Sequence, residues 1–162
     1  MIFINKNFRG KEMSDEIKKG GCLCGKIEYE FDSSKVISAH HCHCKDCQKS
    51  TGSGKATLLY IAKKNLLVTG ELKFFETKGS LGLNIKRGFC ENCGSGVLSY
   101  AKELPMLRFL KVGTLDDSSW VKADSNFFSE SAHDWNKVDK EVKSFKGNPD
   151  MISNIKAVLK AL

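Results

Sequence analysis

The chain has 162 residues, of which 41% are apolar, and this length and composition suit one domain with a hydrophobic core. The formal charge is +7, but nearly all cationic residues are lysines scattered along the sequence, which argues against a nucleic-acid-binding protein. No apolar stretch approaches the roughly 18 residues of a membrane span, and the N-terminus is too polar for a signal peptide. We therefore expect a cytoplasmic protein with reduced thiols and no membrane partner.

Short strands dominate the predicted elements. Residues 1–19 are mostly polar and are predicted to be an N-terminal extension. Ile27, Tyr29 and Phe31 alternate with charged residues, which predicts a half-buried strand over 26–32. Further strands are predicted at 56–61, 66–68, 72–76, 83–89, 97–101 and 107–112, most of them bounded by turn residues. The sequence therefore predicts a mainly β, antiparallel fold over residues 20–146.

The end of the chain, residues 147–162, has a helical pattern. Asn148 can cap a helix, and Pro149 suits the first helical position. The apolar residues that then fall on one face are Met151, Ile152, Ile155, Val158, Leu159 and Leu162. We predict a C-terminal helix packed on the domain, in preference to a helix that binds a partner protein.

Seven cysteines in a chain expected to be cytoplasmic favour metal binding over disulfide bonds. They form three closely spaced groups: Cys22 and Cys24; Cys42, Cys44 and Cys47; Cys90 and Cys93. Seven thiolates are one short of two four-cysteine sites, so one site would have an open position or a histidine ligand. The histidine candidates are His40, His41, His43 and His133. Spacing alone does not establish which groups share an ion, and a redox role for Cys44 and Cys47 is a less favoured alternative.

The cysteine motifs, in their order along the chain, resemble those of the glutathione-dependent formaldehyde-activating enzyme family. The resembling segments are GGCLCG at 20–25, CHCKDC at 42–47 followed by Thr51-Gly52, FCENCG at 89–94, VGTLDD at 112–117, and residues 131–135. This resemblance covers roughly residues 20–146. It implies a small zinc-binding β fold of the β-tent kind, with the C-terminal helix outside the matching region.

The resemblance also implies two zinc ions per chain and assigns their ligands. The cysteines that match the structural zinc ligands are Cys22, Cys24, Cys90 and Cys93. Those that match the ligands of a catalytic and more labile zinc are Cys42, Cys44 and Cys47. Zinc with three thiolates has a net charge of −1, which suits a soft fourth ligand such as a substrate thiol better than hydroxide.

Family chemistry, as the resemblance implies it, is that of a carbon–sulfur lyase. Its substrate would be a thiol–aldehyde adduct such as S-hydroxymethylglutathione, so the expected partner is a small glutathione-like thiol. His43, with His41 beside it, is the candidate for moving the adduct's proton. The lysines that could offset the thiolate charge are Lys45, Lys49 and Lys55, and Gln48-Lys49 stands where family members often carry two arginines.

Two other classes of protein fit the same residues. One is a non-catalytic binding module, stabilised by zinc, whose basic surface contacts an acidic partner. The other is an interaction protein that uses its C-terminal helix. A protein-derived fourth ligand at the Cys42, Cys44 and Cys47 site would favour these classes over the enzyme.

Overall fold

The computed structural model describes residues 16–149, which form two β-sheets. The strands are β1 Ile17–Gly21, β2 Glu28–Asp32, β3 Val36–Cys42, β4 Ala56–Ala62, β5 Leu66–Thr69, β6 Leu72–Lys78, β7 Asn84–Cys90, β8 Gly96–Ala101, β9 Leu107–Lys111, β10 Ser125–Phe127 and β11 Lys143–Ser144. One α-helix within this range, α1, covers Lys45–Thr51. Short 3₁₀ turns cover Ser33–Lys35, Lys63–Asn65, Val112–Thr114 and Ser129–Ser131.

The two sheets differ in size. The small sheet has the order β1-β2-β5, and the large sheet has the order β11-β10-β3-β4-β9-β8-β7-β6. Most neighbouring strands are antiparallel, whereas β10 lies parallel to both β3 and β11. The predicted mainly β fold is therefore confirmed, and each of the seven predicted strands is present with bounds that differ by at most two residues.

Several elements were not predicted from the sequence: β1, β3, β10, β11 and α1. Strand β1 begins three residues before the predicted domain start at residue 20, because its backbone pairs with β2 from Ile17 to Gly21. Of the predicted C-terminal helix, only 147–149 belong to the described residues, so the helix lies outside them. Within residues 16–149, no helix has the length and apolar character needed to cross a lipid bilayer.

The main core contains side chains from both sheets. Ile27, Tyr29 and Phe31, predicted to share one face, are 2–3% exposed and pack in the same cluster as Leu59 and Leu110 of the large sheet. Successive side chains of β4 point to opposite faces of the sheet. Leu59 and Ile61 therefore belong to this core, while Leu58 belongs to a second cluster with Cys42 and Phe127. Strand β4 of the large sheet therefore carries apolar side chains on both of its faces.

The central position of Leu110 gives a test of this core. Its side chain is fully buried, and its backbone is paired with Leu59 on one side and Leu98 on the other. Leu110→Ala should lower the free energy of unfolding by about 2–5 kcal/mol, because it leaves a cavity between the sheets. Leu67→Ala, at a site 62% exposed on β5, is the control and should change it by no more than about 0.5 kcal/mol. Equal effects of the two substitutions in denaturant titrations would contradict the assigned core.

Candidate metal centres and the adjoining cavity

Two tight turns bring four cysteines together. The turn between β1 and β2 carries Cys22 and Cys24, and the turn between β7 and β8 carries Cys90 and Cys93. In each turn a glycine amide donates to the carbonyl of the first cysteine, at 3.1 Å for Gly25 and 2.8 Å for Gly94. Both glycines have φ near +75°, a left-handed conformation that other residues adopt only with strain. The two turns thus direct both cysteine pairs towards one point.

The sulfur separations in this four-cysteine group fit a metal ion. Cys22 Sγ lies 3.6 Å from Cys24 Sγ, which lies 3.8 Å from Cys90 Sγ, and all four sulfurs lie within 4.8 Å of one another. Zinc–sulfur bonds of about 2.3 Å in a tetrahedron place the sulfurs about 3.8 Å apart. A disulfide would need about 2.05 Å, and all seven cysteines are free. The residues present therefore fit a closed four-sulfur metal site.

Hydrogen bonds favour the ionised form of two of the four ligands, Cys22 and Cys93. The Ile27 amide donates to Cys22 Sγ at 3.2 Å. Hydrogen bonds with the Ser95 side chain and backbone lower the pKa of Cys93 to about 5, so this thiol is ionised at neutral pH. Ionised thiols are the form that binds zinc.

The second group comes from one short stretch of chain. Cys42 ends β3, Cys44 caps α1, and Cys47 lies in the first turn of that helix. Cys42 Sγ and Cys44 Sγ are 3.5 Å apart, and the Cys47 amide donates to Cys44 Sγ at 3.4 Å. Hydrogen bonds from the Cys42 and Cys47 thiols lower the pKa of Cys44, so this sulfur is the one of the three that ionises most readily. The three sulfurs lie within 4.8 Å of one another and fit three corners of a tetrahedral site.

A fourth protein ligand does not join this three-cysteine group. Within residues 16–149, no histidine nitrogen, carboxylate oxygen or further sulfur lies within 4.8 Å of all three sulfurs. The ring nitrogens of His40, His41 and His133 instead form hydrogen bonds of 2.8–3.1 Å with serine, threonine, glutamine and lysine side chains. This arrangement gives no support to a site closed by a histidine.

His43 does not join the three sulfurs, since neither of its ring nitrogens lies within 4.8 Å of all of them. Its side chain is fully buried, and neither ring nitrogen has a hydrogen-bond partner. Its backbone amide donates to the Phe127 carbonyl at 3.0 Å, and burial lowers the pKa of its ring, which favours the neutral form. His43 does not line the cavity that adjoins the three sulfurs. Its predicted role in proton transfer stays a prediction.

A cavity of about 190 Å³ adjoins the three-cysteine group. It lies on the face of the large sheet opposite the main core, because Leu58 and Tyr60 line it while Leu59 and Ile61 belong to that core. Most of the lining is apolar, including Ile85, Leu104, Leu107, Phe109 and Phe127. None of the other four cysteines lines this cavity. The two cysteine groups therefore differ both in ligand number and in access to a cavity.

Two cations near the sulfurs were not predicted from the sequence. Arg87 of β7 pairs with Asp46 at 3.4 Å and also contacts the Thr77 hydroxyl. Lys111 of β9 donates to the Ser50 carbonyl in α1 at 3.1 Å, and both cations line the cavity. Burial lowers the pKa of Lys111, and the negative charge that Cys47 carries when it is ionised opposes this shift. Arg87 is one of three arginines in the chain, and this scarcity is the only sequence signal that singles it out.

The residues predicted from the sequence to offset the thiolate charge or bind an anion do not line the cavity. Lys45, Lys49 and Lys55 do not line the cavity, and Lys45 contacts His133 at 3.1 Å. The side-chain amide of Gln48 donates to the backbone carbonyls of His43 and Ser131, at 2.7 and 2.9 Å. Gln48 therefore fixes α1 to a neighbouring loop, and Arg87 and Lys111 supply the positive charge beside the sulfurs.

Two of three comparisons relate this chain to known proteins. A family model described as glutathione-dependent formaldehyde-activating enzyme matches residues 17–131. A crystal structure of a Rhodobacter sphaeroides protein from structural genomics is similar, with a TM-score of 0.48 and 23% identity. This similarity covers 64% of this chain and 90% of the other. No curated protein matches the chain significantly.

The four-cysteine group leads to a prediction about folding. Cys90→Ser should remove a ligand that joins two distant turns, so the free energy of metal binding would no longer stabilise the fold. We expect loss of the cooperative thermal transition, or a large fall in the melting temperature. Cys44→Ser is the matched control and should keep a melting temperature close to that of the parent. A Cys90→Ser protein that melts like the parent would contradict a structural role for this site.

Proposed function

Because the chain belongs to the glutathione-dependent formaldehyde-activating enzyme family, we propose that it is a zinc-dependent carbon–sulfur lyase acting on a thiol–aldehyde adduct. The observation that carries this proposal is the three-sulfur group beside a cavity, with no fourth ligand among residues 16–149. A closed four-sulfur site stabilises a fold, whereas an open position is where zinc chemistry occurs. The proposed reactive centre therefore consists of Cys42, Cys44 and Cys47. The other four cysteines form the proposed structural site.

Cys42, Cys44 and Cys47 would hold the zinc ion, which would favour the thiolate form of a substrate thiol, the nucleophile for an aldehyde carbon. In the synthetic direction one sulfur–carbon bond forms, and the thiol proton passes to the aldehyde oxygen. In the reverse direction that bond breaks and the hydroxyl proton returns to sulfur. The adduct has the same atoms as the thiol and the aldehyde together, so no oxidant or reductant is required.

The chain's own residues would control charge around this reaction. Three thiolates and a substrate thiolate concentrate negative charge at one end of the cavity, and Arg87 and Lys111 lie at that end. Apolar walls strengthen their attraction to the thiolates, because the Coulomb energy rises as the surrounding dielectric falls. Tyr60 and Ser99 also line the cavity and could hydrogen-bond the adduct oxygen. We propose that these residues orient the adduct and stabilise its charged form.

Reduced cysteines are a condition of this proposal. A cytoplasmic location, as expected from the sequence, would keep the thiols in that state. We propose that the catalytic unit is the domain over residues 20–146 together with strand β1. Glutathione is one thiol that the family name suggests.

The first test of the proposed function removes one ligand of the reactive centre. Cys44→Ser should reduce the zinc content from about two ions to about one per chain, and it should abolish thiol–aldehyde exchange. Exchange between formaldehyde, thiol and adduct can be followed by exchange NMR, with zinc measured on the same sample. A variant that keeps both zinc ions and full exchange would contradict the proposal. A parent protein with two zinc ions and no exchange would favour the non-catalytic binding module.

The second test removes one of the cations. Lys111→Met keeps the length of the side chain but removes its charge from the thiolate end of the cavity. We expect exchange to slow by about tenfold or more, since a charge interaction of about 1.4 kcal/mol corresponds to this factor. Lys49→Met, at an exposed site on α1, is the matched control and should leave the rate unchanged. Equal rates for both variants would show that Lys111 has no electrostatic role.

A further inference from the structure

Charge is unevenly distributed around the cavity. The charged residues of its described lining are Asp46, Arg87 and Lys111. Asp46 lies in α1, Arg87 pairs with it, and Lys111 bonds the Ser50 carbonyl of the same helix. All three are therefore held against the helix that carries Cys47. The remainder of the described lining is uncharged and mostly apolar.

The uncharged part of the cavity lining does not suit a peptide-like thiol. Glutathione carries two carboxylates and an ammonium group in addition to its sulfur. With the sulfur at the three cysteines, Arg87 and Lys111 are already beside the thiolates, and no cation in the described lining would pair with a carboxylate further along. An ionised carboxylate held against these walls would be buried without a partner, which is strongly unfavourable, so the carboxylates would have to stay in solvent. The walls instead offer apolar contacts from β4, β7 and β9, including Leu58, Ile85 and Phe109.

The size of the cavity also favours a small apolar ligand over a peptide-like one. A dry cavity of roughly 150 Å³ can hold benzene. This cavity, at about 190 Å³, can hold a six-membered ring with a few further atoms. Pockets for drug-sized ligands usually measure about 300–1,000 Å³, so a tripeptide would have to extend largely outside.

We infer that the thiol taken by this site has a compact apolar body, about the size of a benzyl group, that lies in the cavity with its sulfur at the three cysteines. This inference rests on the proposed function and names the substrate class of the same site. The reaction remains the one described above: the sulfur–carbon bond of the hemithioacetal forms or breaks, and a proton moves between sulfur and oxygen. Apolar burial provides the binding energy, and Arg87 and Lys111 favour the thiolate.

Calorimetric titration of the zinc-loaded full-length chain tests the inference with phenylmethanethiol and glutathione as probes. We expect phenylmethanethiol to bind at least tenfold more tightly. Met106→Lys introduces a cation into the apolar lining at a position 40% exposed, so it should reduce this preference severalfold. Leu67→Lys introduces the same charge on the small sheet, outside the cavity lining, and should leave the preference unchanged.

The outcomes separate the ligand class from the reaction. Glutathione binding as tight as that of phenylmethanethiol, or equal effects of the two lysine substitutions, would overturn the inference. Failure of both thiols to bind would also overturn it, because the cavity would then not be a ligand site. Selective binding of phenylmethanethiol without adduct exchange would support the inferred ligand and contradict the lyase reaction. Adduct exchange that prefers glutathione would support the reaction and contradict the inferred ligand.

Discussion

The convergence of four sulfurs from two separate turns is the constraint on which the arrangement of the two sheets depends. Cys24 and Cys90 are 66 residues apart in sequence, yet their sulfurs lie 3.8 Å apart. One turn belongs to the small sheet and the other to the large sheet, and Cys22 and Cys90 pack within the main core. A metal ion at this point would offset the entropy of closing a long loop and hold both sheets around one core.

The three-cysteine group is subject to a different constraint. Its ligands come from residues 42–47, so metal binding there closes no long loop and should contribute less to folding. The large sheet fixes its position, because Cys42 pairs with Ala56 of β4 and with Phe127 of β10. The same strands contribute to the cavity wall. We therefore propose that one site stabilises the fold while the other, being weaker and open, exchanges ligands.

Much of the fold could be predicted from the sequence because apolar and polar residues alternate clearly along its strands. Ile27, Tyr29 and Phe31 point to one face both in the pattern and in the structure. Strand β3 was missed because the run VISAHHC has no such alternation, and α1 was missed because seven residues are too few to show a helical period.

The candidate site was harder to predict than the fold. Spacing indicated metal ligands but left their grouping open, and the family resemblance supplied the grouping in which the structure brings the sulfurs together. Arg87 and Lys111 could not be found in this way, because they come from β7 and β9. The sheet order β3-β4-β9-β8-β7, which places these strands in the same sheet as the strand that ends at Cys42, cannot be deduced from the spacing of nearby residues. The apolar cavity likewise depends on this order.

A crystal structure of the zinc-loaded protein, with anomalous scattering measured at the zinc edge, tests the central claim most directly. The account predicts two zinc peaks per chain. One should be surrounded by the sulfurs of Cys22, Cys24, Cys90 and Cys93, and the other by those of Cys42, Cys44 and Cys47 with water or an added thiol in the fourth position. A histidine or carboxylate of the chain in that fourth position, or a single zinc peak, would contradict it.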